Sequence, residues 1–355
     1  MALVVAVLLT LAEGLASFTL AGVHTVKEGL RTLRHEATPS FHVHDAELGW
    51  TCRRNAEFPG IWGKGINLRF NSQGLRGGRE LRERPEEGKI RVLCSGDSFT
   101  FGLGVDDRDT WSSQLEALDD RLEVLDAGVM GYGVDQAYLR FRRDLASLRP
   151  DVHLFAFIYN DFERARSDRF NGYPKPLLRL KDDALVVANA PLPEPSGFEP
   201  YTRTLGSHLF ELRFISLASR LLPAGAAAKR PEMVADVEFQ QIIFAMFDSL
   251  RDLGGVAAIV DLPTLDDQKA DPRRDGWRAL LREQALERGL LWLDLVEDFR
   301  RLPPQESARL FLLEGERTDP YAARHYNEPG NRYVAGKIHQ QLLSAGRFPS
   351  ATRQP

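Results

Sequence analysis

The sequence predicts a three-layer α/β fold built on a central parallel sheet. Three observations support this: short apolar runs recur from residue 90 onward, helical patterns lie between them, and the composition supplies a large core. Strands that alternate with helices pair in parallel and carry helices on both faces of the sheet. The 355 residues are 43% hydrophobic and 27% charged, with 29 Gly and 20 Pro, which is typical of an ordered globular chain.

The predicted strands are five short apolar runs. The third is apolar almost throughout, as expected for a strand that is covered on both faces. The predicted helices have apolar residues at every third or fourth position, and the last begins near Pro329, since proline suits the first turn of a helix. The strands are predicted at residues 90–94, 122–125, 152–159, 256–262 and 290–293, and the helices at residues 134–148, 239–253, 277–288 and 329–343.

Four segments are predicted along the chain. An apolar first segment is followed by a polar lead-in that packs on the core, then by the α/β domain and a short tail. An insertion interrupts the domain where it could cover a substrate cleft, and a hairpin at residues 177–187 and a helix at 206–222 are expected within it. The segments span residues 1–23, 24–88, 89–345 and 346–355, with the insertion at about 167–235.

The first segment has the length of a membrane helix. Residues 2–23 are apolar except for a few positions such as Glu13, and would span about 33 Å as a helix, against a hydrocarbon core of roughly 30 Å. We expect a membrane anchor or an uncleaved signal, with a buried core helix as the alternative. Lys27, Arg31 and Arg34 follow the run and favour a cytoplasmic domain by the positive-inside rule; we nevertheless expect the domain to be extracytoplasmic.

The charge balance and the cysteine count exclude several classes of protein. Lys and Arg number 46 against 50 Asp and Glu, which argues against a nucleic-acid binder, because such proteins carry a strongly basic face. Cys52 and Cys94 are too few for a disulfide scaffold, and Cys94 is predicted to be a buried thiol. His42 and His44 form an H-x-H pair, but a zinc site needs three or four ligands. We therefore predict no metal and no cofactor.

Four residues follow the predicted strands or precede the last helix, at positions where side chains meet at one sheet edge. Ser98 follows the first strand, at the carboxyl edge where open α/β sheets place their sites. It can act as a nucleophile if a base reaches it, although a serine that caps a helix would look the same. Gly131 follows the second strand, Asn160 the third, and His325 stands before the last helix. The G-x-S-x-G elbow of α/β-hydrolases is absent.

At these positions the sequence resembles the SGNH, or GDSL-type, hydrolase superfamily, whose four name-giving residues lie in separate blocks. Ser98 in Gly-Asp-Ser-Phe matches the first block, Gly131 the second, Asn160 in Asn-Asp the third, and His325 the last. The resemblance covers about residues 90–343 and implies a flavodoxin-like fold. Residues 71–76, Asn-Ser-Gln-Gly-Leu-Arg, also resemble the lead-in of membrane-anchored bacterial members.

The resemblance implies a role for each matched residue. Ser98 would attack an ester carbonyl and His325 would take its proton. The backbone N–H groups of Ser98 and Gly131, with the side chain of Asn160, would form the oxyanion hole.

The sequence departs from the family pattern at the third catalytic residue. The family usually has an aspartate three residues, sometimes two, before the histidine, where this chain has Ala322 and Ala323. Asp319 is the nearest carboxylate upstream and is the candidate for the acid. Pro320 disfavours helix at Asp319, so a loop could fold its carboxylate back toward His325.

The resemblance favours a serine-dependent esterase or deacylase that hydrolyses an acyl or acetyl ester. The expected substrate is a small-molecule or glycan ester, on a cell-envelope sugar or a lipid. One alternative is an O-acyltransferase that acts on a polysaccharide through the same Ser–His site. Another is a non-catalytic glycan-binding module with a decayed site, which the missing acid favours and the complete Ser, Gly, Asn and His set disfavours.

Overall fold

The structure, a computed structural model, describes residues 40–182, 184–194, 232–252 and 255–346. In chain order its strands are β1 (His42–Asp45), β2 (Gly49–Cys52), β3 (Ala56–Phe58), β4 (Leu68–Phe70), β5 (Ile90–Gly96), β6 (Leu122–Gly128), β7 (Val152–Phe157), β8 (Arg169–Phe170), β9 (Tyr173–Pro174), β10 (Leu178–Lys181), β11 (Ala184–Val187), β12 (Val256–Asp261) and β13 (Leu291–Asp294). Its α-helices are α1 (Ser98–Phe101), α2 (Trp111–Leu118), α3 (Val134–Arg140), α4 (Tyr159–Ala165), α5 (Val237–Asp252), α6 (Pro272–Glu287), α7 (Leu295–Arg300), α8 (Pro304–Ala308) and α9 (Glu328–Ser344).

The central sheet has five strands in the order β13-β12-β7-β5-β6, and every pairing within it is parallel. The predicted α/β fold with a parallel sheet is therefore confirmed. The chain passes from β5 to β6 on one side and then crosses to β7 on the other, which is the flavodoxin-like order. In such sheets the ligand site lies at the carboxyl ends of the strands where the order reverses, which here is between β5 and β7.

Helices cover both faces of the sheet. Successive residues of a strand point to opposite faces, and β5 and β7 are buried along their whole length. Leu93 and Phe155 pack in one core with residues of α3, α5 and α6. Val92 and Leu154 pack in the other with residues of α2, α7 and α9. The alternation explains why these strands are continuous apolar runs in the sequence.

Several predicted boundaries differ from those in the structure. The helix predicted at residues 134–148 is α-helical only to Arg140 and continues as a π-helical turn, Phe141–Leu145, and a 3-10 turn. The strand predicted at residues 152–159 ends earlier, because the Asp161 carboxylate accepts a hydrogen bond from the Ile158 N–H at 3.0 Å and starts α4. The helices α1, α2, α4, α7 and α8 were not predicted; each has eight residues or fewer, too few for a periodic pattern.

The lead-in contains two small antiparallel hairpins, β1–β2 and β3–β4. Its aromatic side chains pack around Phe101, the last residue of α1. The rings of Phe41, Trp62 and Phe70 lie 5.6, 6.1 and 6.1 Å from that of Phe101, measured between centroids. Aromatic packing therefore ties the lead-in to the helix that begins at Ser98.

The described part of the insertion contains the predicted hairpin, as β10 paired antiparallel with β11. The helix predicted at residues 206–222 lies outside the described residues. So does the membrane helix predicted at residues 2–23. Within the described ranges, none of the helices has both the length and the apolar character that a membrane span requires.

Candidate active site

Ser98 lies in a tight turn between β5 and α1. The Asp97 carboxylate caps the helix by accepting a hydrogen bond from the Phe99 N–H at 2.9 Å. Gly96 permits the turn, because a Cβ at this position would lie 2.2 Å from Oγ1 of Thr100. Ser98 is the first residue of α1, so its N–H is among those that have no partner within the helix.

His325 reaches the same turn from the loop before α9. The Leu312 N–H donates to the His325 carbonyl at 2.8 Å, and the Arg324 N–H donates to the Leu312 carbonyl at 2.8 Å. Asn327 caps α9 by accepting a hydrogen bond from the Gly330 N–H at 2.9 Å. These bonds fix the backbone from which the imidazole projects.

The predicted nucleophile and the predicted base are in direct contact. Oγ of Ser98 lies 2.8 Å from Nε2 of His325, and the Phe99 ring packs on the imidazole with 4.6 Å between centroids. Burial lowers the pKa of His325 below its usual 6.5, although the charge of Asp97 acts in the opposite direction. A neutral imidazole that is unprotonated at Nε2 can accept the serine proton.

The structure does not bring Asp319 to His325. The Asp319 carboxylate accepts a hydrogen bond from the Tyr321 N–H at 2.9 Å and so caps the 3-10 turn that follows it. Because the carboxylate is used locally, it does not fold back in the way the sequence allowed.

Nδ1 of His325 is buried without a hydrogen bond to any carboxylate in the described part of the chain. Ala322 and Ala323 occupy the positions where the family has its aspartate, and their backbone carbonyl groups favour the protonated ring. Ser98 and His325 therefore form a dyad in this structure.

The other two predicted residues lie on neighbouring loops at the same edge. Gly131 follows β6 with φ +81°, and a Cβ there would lie 2.7 Å from Cε1 of Phe170, so any other residue would strain the backbone and displace the Phe170 ring. Asn160 is the second residue of α4, and its side chain is exposed. In the described part of the chain, the Asn160 side chain forms no hydrogen bond with either residue of the dyad.

Sequence reasoning missed a charged cluster beside Ser98. Nη1 of Arg164 lies 3.0 Å from Oδ2 of Asp97 and 2.6 Å from Oδ1 of Asp161. Burial, together with the charge of Asp97, raises the pKa of Asp161 well above its usual value. The available signal was the spacing of Asp161 and Arg164, three residues apart after a strand, which places both on one helix face.

Arg76, the last residue of the 71–76 motif, is buried against α1. Its guanidinium pairs with Asp107 at 3.0 Å and donates to three backbone carbonyl groups, those of Phe101, Gly102 and Val105. The carbonyl groups at the end of a helix have no helical partner. The motif therefore satisfies the end of the helix whose first residue is Ser98.

The H-x-H pair lies on β1, in the lead-in, and is not part of the turn that contains Ser98. Nδ1 of His44 is 3.2 Å from the carbonyl oxygen of Gly49, and burial lowers the pKa of His42 to about 3. Across the residues that the structure describes, no group of three His, Cys, Asp or Glu side chains is arranged to hold a metal ion. Cys52 and Cys94 are buried free thiols, as predicted for Cys94.

Comparison with known proteins gives distant structural similarities. No family model matches the sequence, and no curated protein is significantly similar to it. A member of the lipolytic G-D-S-L family from Veillonella parvula is 16% identical with a TM-score of 0.35, over 71% of this chain and 97% of that one. An acetyl xylan esterase is 16% identical with a TM-score of 0.41, over 72% and 99%. A lipase/acylhydrolase from Enterococcus faecalis is 13% identical with a TM-score of 0.38, over 75% and 100%.

Proposed function

We propose that the protein is a serine-dependent esterase or deacylase that hydrolyses an acyl or acetyl ester. The observation that carries the proposal is the 2.8 Å contact between Oγ of Ser98 and Nε2 of His325, at the carboxyl edge of the sheet. A hydroxyl within hydrogen-bond reach of a neutral imidazole meets the geometric requirement for nucleophilic acyl transfer.

In the first half-reaction, Oγ of Ser98 bonds to the ester carbonyl carbon while its proton passes to Nε2 of His325. The electron pair of the carbonyl moves to the oxygen, where the N–H groups of Ser98 and Gly131 and the amide of Asn160 stabilise it. Loss of one such donor typically costs about 10²–10³ in rate. Collapse of the intermediate breaks the bond to the alcohol, which leaves with the proton from His325.

In the second half-reaction, water attacks the acyl group on Ser98 and gives its proton to His325. Collapse then releases the carboxylic acid and restores the serine hydroxyl. A glycan hydroxyl in place of water would make the same site an O-acyltransferase. The substrates we propose are esters on a cell-envelope glycan or a lipid.

Active-site labelling of the full chain tests the proposal. Ser98→Ala should lose both labelling by a fluorophosphonate probe and hydrolysis of p-nitrophenyl acetate. Ser95→Ala is a matched control, because Oγ of Ser95 also lies 2.8 Å from a histidine, Nε2 of His153, but the pair is buried in the core. The control should keep both activities.

Three other outcomes would redirect the proposal. Equal labelling of the wild type and Ser98→Ala would remove Ser98 as the nucleophile. No labelling of either protein would favour a binding module with a decayed site. Transfer of the acetyl group to an added polysaccharide, in preference to water, would favour the acyltransferase.

We further propose that residues 2–23 anchor the protein in a membrane, with the α/β domain on the extracytoplasmic side. The length of the apolar run supports this. Full-length protein should appear in the membrane fraction, and a chain lacking these residues should be soluble and active. Full-length protein in the soluble fraction would contradict the anchor, and protease accessibility in spheroplasts reports the side.

A further inference from the structure

The charged cluster beside Ser98 is almost closed to solvent at its two carboxylates. The side chains of Asp97 and Asp161 are 1% and 2% exposed, and that of Arg164, between them, is 18% exposed. Arg164 approaches both carboxylates with one nitrogen, Nη1, which also lies 3.0 Å from the carbonyl oxygen of Tyr132. Because solvent screens buried charges only weakly, the cluster acts on any ionisable group nearby.

Asp97 connects the cluster to the reacting atoms. Its Oδ2, the atom that Arg164 binds, lies 3.3 Å from Oγ of Ser98, and that Oγ lies 2.8 Å from Nε2 of His325. The carboxylate oxygen is therefore no more than about 6 Å from the nitrogen that takes the serine proton. An opposite charge within ~4–6 Å favours the charged form of a titrating group.

We propose that Asp97, held in place by Arg164, supplies the negative charge that stabilises the imidazolium of His325 when Ser98 attacks. In a triad a carboxylate on the far nitrogen of the ring performs this task, and here Nδ1 has no such partner among the described residues. Asp97 acts from the serine side of the ring instead. The inference rests on the proposed function; it assigns Asp97 the stabilising charge and Arg164 the role of the residue that positions it.

The charged groups that act on the His325 ring come from two elements and have opposite signs. Asp97, in the turn after β5, favours the protonated ring, and Arg164, on α4, disfavours it. Among the described residues, the Phe99 ring on α1 packs on the imidazole, and the carbonyl groups of Ala322 and Ala323 favour the protonated ring. Asp161, also on α4, pairs with Arg164 at 2.6 Å. Arg164 therefore both fixes the carboxylate and limits its effect.

The opposite signs provide the test. The full chain, with ¹³C-labelled histidine, is titrated by NMR as wild type, Asp97→Asn and Arg164→Gln, and His325→Gln identifies the resonance. We expect the titration midpoint of His325 to fall in Asp97→Asn and to rise in Arg164→Gln. Asn caps a helix as well as Asp does, so Asp97→Asn removes the charge and keeps the cap of α1.

Reactivity should follow the same pattern. The rate of fluorophosphonate labelling should fall at least tenfold in Asp97→Asn, and the acidic limb of its pH profile should move to lower pH. In Arg164→Gln the limb should move to higher pH, and Arg164→Lys, which restores the positive charge, should bring it back toward the wild-type position. If Asp97 and Arg164 only supported the fold, the two variants would not shift the acidic limb in opposite directions.

A second Asp–Arg ion pair, near the amino ends of the strands, serves as the control. Asp119 and Arg121 form an ion pair at 2.6 Å just before β6, and β6 has seven residues, which places the pair about 20 Å from the carboxyl edge. Asp119→Asn and Arg121→Gln should leave the His325 midpoint unchanged.

An unchanged midpoint in Asp97→Asn, or shifts of the same sign in both variants, would overturn the inference. If Asp97→Asn does not fold, Asp97→Ser, which also keeps a helix-capping oxygen, replaces it: a lower His325 midpoint supports the inference and an unchanged midpoint overturns it. Failure of the proposed function is a separate result, namely labelling that persists in Ser98→Ala, because the NMR midpoint needs no ester and no reaction.

Discussion

Replacing Asp319 by Asn separates a catalytic triad from the dyad in the structure. The Asp319 carboxylate accepts one hydrogen bond, from the Tyr321 N–H at 2.9 Å, and caps a 3-10 turn. The amide oxygen of Asn can accept the same bond, and the two residues are equivalent as caps. The substitution therefore removes a negative charge and leaves the loop before His325 in place.

The two mechanisms predict effects of very different size. Neutralising the aspartate of a triad lowers kcat by about 10⁴, because the histidine loses its orientation and the imidazolium its partner. Since the Asp319 carboxylate forms no hydrogen bond with His325 in the structure, we expect kcat to fall less than tenfold in Asp319→Asn. That limit corresponds to about 1.4 kcal/mol in activation free energy.

Steady-state hydrolysis of p-nitrophenyl acetate by the full chain measures the difference. His325→Ala should be inactive, which shows that the assay depends on the dyad. Asp271→Asn is the matched control, since Asp271 also caps a helix with one 2.9 Å bond, to the Arg273 N–H. A loss of 10³ or more in Asp319→Asn, with an unchanged melting temperature, would refute the dyad and restore Asp319 as the third catalytic residue.

Two further predictions concern Gly131 and the buried His153. Gly131→Ala should lower the labelling rate at least tenfold, because its Cβ would lie 2.7 Å from Phe170. The control is Gly172→Ala, which has φ +86° and open space around it; it should cost only about 1 kcal/mol of strain and keep the labelling rate. Equal losses of rate in the two variants would contradict the packing argument. Burial lowers the pKa of His153 from 6.5 to about 3, so the unfolded chain binds the proton first as the pH falls below 6.5. Between pH 8 and pH 5, His153 should therefore remove about 2 kcal/mol from the free energy of unfolding. Urea unfolding at the two pH values should show a drop smaller by that amount in His153→Gln, and an equal drop would contradict it.

The parallel sheet was predictable because its strands are buried on both faces. Each such strand is a run of apolar residues, and the runs alternate with amphipathic helices long enough to show their period. The short helices were not predictable in this way. The Ser98–Phe101 helix, for example, depends on the cap by Asp97, the close approach at Gly96 and the left-handed residue Gly102, none of which produces a periodic pattern.

The contact between Ser98 and His325 was predictable from their positions in the sequence, because each residue lies where a chain segment reaches the carboxyl edge of the sheet. The contact between Asp97 and Arg164 did not, although the two residues also follow strands. They are 67 positions apart, and they meet only because β5 and β7 are neighbours in the sheet, an order that the sequence pattern does not fix. Asp319 shows the reverse case, since closeness in the chain does not fix the direction of a side chain.

The lead-in supports the active site through direct contacts with α1, although most of its residues lie well before the sheet in the sequence. The Arg76 side chain is 1% exposed and its partner Asp107 is 4% exposed. Its guanidinium also donates to the carbonyl groups of Phe101 and Gly102, at the end of α1, and to that of Val105 in the loop beyond it. Breaking a buried ion pair by removing one partner costs about 3–5 kcal/mol, a large part of the 5–15 kcal/mol that typically holds a domain together. We therefore expect a chain that begins at residue 89 to lose the contacts that hold the end of α1, although the sequence pattern changes at residue 88. The helix that presents Ser98 is held by its own cap at one end and by the lead-in at the other.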